Sequence, residues 1–163
     1  MKLYIKQKVF SLRDRFTVKD EYGRDVYSVS GELLSLGKRL HIYDNSGMEA
    51  AFVKERLLTL LPKFIISAGG MRDVEMARKF SLFSPYYVIP DIDWEISGSF
   101  TEHSYKITHR GRTVAKISKA WFTWGDSYEI SVTDPEDALM ALAVVIAIDA
   151  DQANDNAAAA ASN

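Results

Sequence analysis

The stretch from Asp134 to Asp149 constrains this chain most. It opens with helix-start chemistry: Asp134 can accept a bond from an orphan amide, Pro135 suits a first helical position, and Glu136 and Asp137 complement the positive end of the helix dipole. From Ala138 to Ile148 no side chain is polar on any side. A helix that is apolar all round has no face for water, so protein or lipid must enclose it. Length argues against lipid: eleven apolar residues rise about 17 Å, against roughly 30 Å of hydrocarbon. The segment is flanked by acids and carries no Lys or Arg, so the usual membrane anchors are missing. The expectation is a central helix over about 135–149, enclosed by the rest of the chain.

What precedes it is strand-like, with a period of two. Phe16–Asp20 and Val26–Val29 flank a turn at Gly23, and Leu40–Asp44 and Ala51–Leu57 flank one at Gly47. Asp20-x-x-Gly23 and Asp44-x-x-Gly47 repeat the same turn chemistry. Further strands are expected over 62–67, 94–100, 104–109, 112–118 and 127–133, with Arg110-Gly111 as the tip of the clearest hairpin, and 72–79 reads as a strand in preference to one helical turn. Pro85 and Pro90 bracket a segment that suits an edge strand or extended connector. After Asp149 a polar stretch and a short alanine run read as a flexible tail over 151–163. About ten short strands before one apolar helix implies a sheet curled into a barrel, whose inner face surrounds the helix and whose closure removes exposed edges.

The order Asp20-x-x-Gly23-x-x-x-Tyr27-x-Val29-x-Gly31, Leu40-x-Ile42-x-Asp44-x-x-Gly47, Trp94-x-Ile96-x-Gly98, then strand and apolar helix, resembles the LURP-one-related family. That family includes small bacterial proteins and is related to the Tubby C-terminal domain and the phospholipid scramblases. The resemblance covers roughly residues 1 to 150. It implies a mostly β fold: one domain, a closed antiparallel barrel of about twelve strands around a buried C-terminal helix. It brings no settled activity with it.

Chemistry is sparse. The chain has no cysteine, which excludes disulfides, thiolate metal sites and cysteine nucleophiles. His103 and His109, on one extended strand, would be about 20 Å apart and form no chelate. Asp91 and Asp93 read as a solvated loop, Ser97-Gly98-Ser99 lacks nucleophile-elbow spacing, and Gly69-Gly70 lacks the lysine of a phosphate loop. No cofactor or metal is expected, no EF-hand pattern supports calcium, and the protein is expected not to be an enzyme.

Charge is uneven: residues 126–163 hold eight acids and no Lys or Arg, whereas 1–125 hold 20 basic and 14 acidic residues. The near-neutral total of −2 argues against a dedicated nucleic-acid binder. Within the basic body, Lys106, Arg110, Arg112, Lys116 and Lys119 occur with no acid among them and lead into Trp121 and Trp124. Lysine and arginine at a hairpin tip can meet phosphate headgroups, and tryptophan is at home at a membrane interface. The bland alternative has ordinary strands with basic residues outward and both tryptophans inward. The leading expectation is a binding or scaffold module docking on an anionic phospholipid surface. A ligand carrier or enzyme would require a polar pocket lined by His103, Asp91 or Asp93, and a protein-interaction module would offer the basic face to an acidic partner. The N-terminal octet alternates charged and apolar residues, unlike a signal peptide or anchor. A cytoplasmic protein, peripheral at the inner membrane face, is therefore expected.

Overall fold

The structure, a computed structural model, describes residues 1–6, 15–32, 34–82, 84–120 and 127–162. These form twelve strands: β1 (Lys2–Lys6), β2 (Phe16–Asp20), β3 (Asp25–Gly31), β4 (Arg39–Asp44), β5 (Glu49–Glu55), β6 (Lys63–Ala68), β7 (Val74–Phe80), β8 (Pro85–Ile89), β9 (Trp94–Ser99), β10 (Ser104–His109), β11 (Arg112–Ala120) and β12 (Ser127–Val132). One helix follows, α1 (Ala138–Ala161). The strands close into a barrel in simple up-and-down order, every neighbour antiparallel, with β1 pairing β12 along Lys2–Lys6 and Ser127–Ser131. The pattern-based count of about ten omitted β1, whose alternation Leu3, Ile5 inward and Lys2, Tyr4 outward is a strand signal in its own right.

The barrel is filled by α1. Along β6 buried and half-buried residues alternate, sending Phe64, Ile66 and Ala68 inward; Ile42, Val53, Met76, Ile96, Ile107, Ile117 and Ile130 do the same on their strands. From Met140 to Ile148 every helix residue is almost wholly buried. Small Ala141, Ala143 and Ala147 alternate with Leu142, Val144, Val145 and Ile146, so a cylinder about 10–12 Å across fits inside the ring of branched wall residues. Enclosure by protein is thus the observed answer to the apolar helix. No helix of the described residues is long and apolar enough to cross a membrane.

Three details differ from the sequence expectation. Between Pro85 and Pro90, β8 is paired on both sides, by β7 and β9, and is not an edge. Pro85 is its first residue and Pro90 opens the 3-10 turn after it, so neither ring interrupts the ladder. Asp134 makes no side-chain capping bond; Pro135–Asp137 form one 3-10 turn and α1 begins at Ala138. Finally, α1 runs on past Asp149 to Ala161. Arg78 on Asp155 and Asn154 on Glu55 tie the first of these extra turns to the wall, and alanine, the best helix former, continues them.

Both Asp-x-x-Gly turns form as read. Asp20 Oδ1 accepts from the amides of Tyr22 and Arg24, and Asp44 Oδ1 from those of Ser46 and Met48. Gly23 and Gly47 take the left-handed conformation that closes each turn, at φ 77° and 81°.

Candidate functional site

In an up-and-down antiparallel barrel alternate connections share one end. The β3–β4, β5–β6, β7–β8 and β9–β10 connections therefore lie together, and α1, entering after β12, emerges among them. This helix-exit end carries the polar chemistry of the core.

Two carboxylates leave the barrel with the helix, and both are buried: Asp149 and Asp151. Asp149 Oδ2 accepts the hydroxyl proton of Tyr128 on β12, and its Oδ1 lies 3.5 Å from His103 Nε2. His103 reaches that position because the Phe100–His103 turn is tight, with the His103 amide donating to the Phe100 carbonyl and His103 itself at φ 48°. Its imidazole stacks on Tyr128, centroids 4.3 Å apart. Asp151 Oδ2 accepts from Tyr87 on β8 at 2.6 Å and from Arg78 on β7 at 3.3 Å, and the same Arg78 Nη1 donates to Asp155 at 2.7 Å. Phe100 packs edge-on against Tyr87 and at a tilt against Tyr105, each with centroids 5.0 Å apart.

Burial pushes Asp149 and Asp151 above the ordinary carboxylate range, against the opposing pull of His103 and Tyr128 on the first and of Tyr87 and Arg78 on the second. Tyr105 and Tyr128, fully buried beside Asp149, are held well above the usual phenol range by desolvation first and that carboxylate second. The Tyr105 hydroxyl, His103 Nδ1 and Asp151 Oδ1 are buried with no hydrogen-bond partner among the described residues. Above this cluster opens a groove of about 420 Å³, with Phe100, Thr101 and His103 on one wall and Asp149, Gln152, Ala153 and Asn156 on the other. The helix wall is a single stripe, since residues three, four and seven apart share a face.

The same end displays leucines. Leu34 on the β3–β4 connection and Leu58 and Leu60 on β5–β6 are fully exposed, and Leu82 on β7–β8 nearly so. The segments 34–39, 56–63 and 78–82 hold six basic residues and no acid. Arg56 and Lys63 share Glu75, and Arg39 reaches Glu32, while Lys38 and Lys79 have no acidic partner among the described residues.

The basic hairpin residues do not form one patch. Arg110 and Arg112 lie at the opposite end of the barrel, where Arg110 is bonded to Asp93 through Nε at 3.0 Å and Nη2 at 2.6 Å. Asp91 is likewise occupied, accepting the Glu75 amide. Lys106 and Lys116 face each other across β10 and β11, halfway up the outer wall. They line a shallow depression of about 260 Å³ with Ser97, Ser104 and Thr113. Lys119, in register with Tyr128, stands exposed at the helix-exit end. Trp121 and Trp124 lie outside the described residues.

Sequence reading missed Asp149, Asp151 and the leucine loops. The helical period held the first signal: Asp149 is seven residues after Leu142 and four after Val145, so extending the buried stripe by one turn places its carboxylate inside. The second lay in Leu33-Leu34, Leu36, Leu57-Leu58 and Leu60-Leu61, apolar residues where turns between strands are normally polar.

A protein from Arabidopsis thaliana, known by X-ray structure, superposes with a TM-score of 0.63 over 92% of this chain and 90% of its own. At 18% identity the likeness is one of fold. The uncharacterized protein YxjI of Bacillus subtilis (strain 168) is 34% identical over 155 residues, 95% of this chain and 96% of that protein. The model of a family described as LURP-one-related matches residues 1–149, and with these likenesses the chain belongs to the LURP-one-related family.

Proposed function

We propose that the chain is a non-catalytic binding module that docks peripherally on anionic phospholipid, at the inner face of a membrane, through its helix-exit end. The observation that carries this reading is the exposure of Leu34, Leu58 and Leu60 on adjacent loops bordered by basic residues. A monomer surface rarely spends large apolar side chains this way without a use for them. Moving a leucine from water into an acyl layer is worth roughly 1.5–3 kcal/mol, so the three together rival a single fatty-acyl anchor. Such an anchor alone binds marginally; each neighbouring Lys or Arg adds about 1 kcal/mol on an anionic leaflet. Lys38 and Lys79, without acidic partners among the described residues, are placed to supply that second signal. Lys106 and Lys116, on the side wall, add attraction at a distance, whereas Arg110 is committed to Asp93.

The non-catalytic part of the reading is supported by the use of His103. Its Nδ1 is buried and its Nε2 lies 3.5 Å from Asp149 Oδ1, so the ring is turned toward the core carboxylate.

Co-sedimentation with phosphatidylglycerol vesicles tests the proposal. Binding should appear at low salt, weaken with salt, and fall at least about tenfold in Leu58→Ser/Leu60→Ser, a loss of about 1.4 kcal/mol or more. Lys106→Gln/Lys116→Gln should change it much less. No binding at low salt, or undiminished binding by the leucine variant, would overturn the docking face; a larger effect of the lysine variant would move it to the wall.

A further inference from the structure

We infer that the groove between α1 and the β9–β10 turn is a binding site for a ligand bearing an ammonium group. From Ala138 to Ile148 the enclosed helix is wholly apolar, yet at Asp149 a carboxylate is buried. Its compensation inside the protein is incomplete. Arg78, the one guanidinium at this cluster, bonds to Asp151 and Asp155 and not to Asp149. Asp149 has the Tyr128 hydroxyl, which is neutral, and His103 Nε2 at a long 3.5 Å. Of the ionisable groups at this cluster Asp149 and His103 line the groove, while Arg78 is spent on Asp151 and Asp155. Among the described residues no Lys or Arg lines the groove beside Asp149.

The groove has the form as well as the charge. Its volume of about 420 Å³ lies within the range of sites for small molecules, and Asp149 contributes to its lining. Thr101, Gln152 and Asn156 line the same walls and each carries a side-chain oxygen able to accept, the donor-to-acceptor match an ammonium beside a carboxylate calls for. Phe100 adds an aromatic edge to the wall, apolar surface against which the carbon stem of an amine can lie. A metal ion fits less well: no three His, Asp or Glu side chains among the described residues converge to hold one.

The ammonium has two sources, a free amine or the headgroup of an aminophospholipid. The groove opens at the same end as the leucine loops, so both can reach it, but recognition of the free amine does not depend on membrane docking. Ethanolamine, putrescine and choline as chlorides, with glycerol as the neutral control, are titrated into the whole protein by calorimetry and by thermal shift. Ethanolamine or putrescine should bind and raise the melting temperature, choline should bind more weakly because it has no N–H to donate, and glycerol should do neither. Asp149→Asn should weaken amine binding by about 10–100-fold, the loss of one charge-assisted bond. If that variant does not fold, Ala153→Trp fills the groove from the half-exposed side of the helix and should abolish binding. A parallel arm compares vesicles with and without phosphatidylethanolamine at constant phosphatidylglycerol. Retention that rises with phosphatidylethanolamine and returns to the baseline in Asp149→Asn assigns the headgroup; free-amine binding without that rise assigns a soluble ligand. The site is overturned if neither a free amine nor phosphatidylethanolamine is recognised, or if the variants recognise them as well as the natural protein does. Failure of the vesicle baseline alone, with free amines still bound, would count against membrane docking and leave this site standing.

Discussion

Gly98, on β9, shows how closely two strands can approach when a side chain is missing. A Cβ there would lie 2.6 Å from the Ser104 carbonyl oxygen and 2.6 Å from the Tyr105 Cα, both backbone atoms that cannot swing aside, and its φ is 140°. At Gly47, φ is 81° but a Cβ would meet nothing within 4 Å. Gly47→Ala should therefore cost only the left-handed conformation, about 1–2 kcal/mol, and Gly98→Ala clearly more, because the strands must also separate. Urea midpoints measure both, and equal losses would refute the steric account. Asp149 and Asp151 make a second residue-scale prediction. Burial lifts both folded-state pKa values above the unfolded value, so their protonation stabilises the fold. That contribution is complete below about pH 4 and is lost as pH rises through the lifted values. Asp20 works in the opposite sense: burial opposes its charge, but bonds from Arg24 and from the Tyr22 and Arg24 amides hold it low, so its contribution is lost only at still lower pH. Melting temperatures between roughly pH 4 and 7 should fall with rising pH, and Asp149→Asn with Asp151→Asn should flatten that slope. An unchanged slope in the variants would show that the two carboxylates do not carry it.

At the scale of elements, α1 does two jobs in succession. Its first half is core: Leu142→Ala should cost about 2–5 kcal/mol by leaving a cavity, and Leu142→Asp, an unpaired charge among apolar walls, should prevent soluble expression. Its second half is held at the rim by Asp155 on Arg78 and Asn154 on Glu55. Removing residues 157–163 should leave the melting temperature nearly unchanged; truncation after Asp151 should lower it by severing those contacts. Calorimetry on the two truncations separates the halves, and equal effects would contradict the division. The same division explains what could be read beforehand. Ala138–Ile148 announced its burial because eleven apolar residues admit only enclosure, and the paired Asp-x-x-Gly turns announced two hairpins because their bonds are local. The site was illegible for the opposite reason. Asp149 meets Tyr128 and His103, and Asp151 meets Tyr87 and Arg78, only because barrel closure brings β12, the β9–β10 turn and the β7–β8 pair around the helix exit. The basic residues of the hairpin, a cluster in sequence, are spread over two ends and a wall by the length of β10 and β11.

The whole molecule is a ring, and a ring has a weakest joint. Most neighbouring strands are joined by short connections, whereas closure brings β1 onto β12 from the far end of the chain. Such distant closure costs little at equilibrium, because loop entropy grows only logarithmically with length. The β1–β12 joint is well made, with pairing running from Lys2↔Ser131 to Lys6↔Ser127. On its other side β1 pairs with β2 only at Leu3↔Asp20 and Tyr4↔Lys19 among the described residues. Side chains reinforce the β1–β12 joint instead, with Tyr4 donating to Glu129 and Lys2 bridging the same carboxylate. Burial first, and Glu129 second, push the Tyr4 phenol up to about 12, so its hydroxyl remains a donor throughout the neutral range. Local opening should therefore begin between β1 and β2, with β1 staying on β12. Native-state hydrogen exchange checks this: amides at the β1–β2 joint should be protected at least about tenfold less than those between β9 and β10, a difference of about 1.4 kcal/mol in opening free energy. Tyr4→Phe should loosen β1 from β12 and accelerate exchange on β1 further. Uniform protection around the ring would mean that the enclosed helix governs opening and that no joint does.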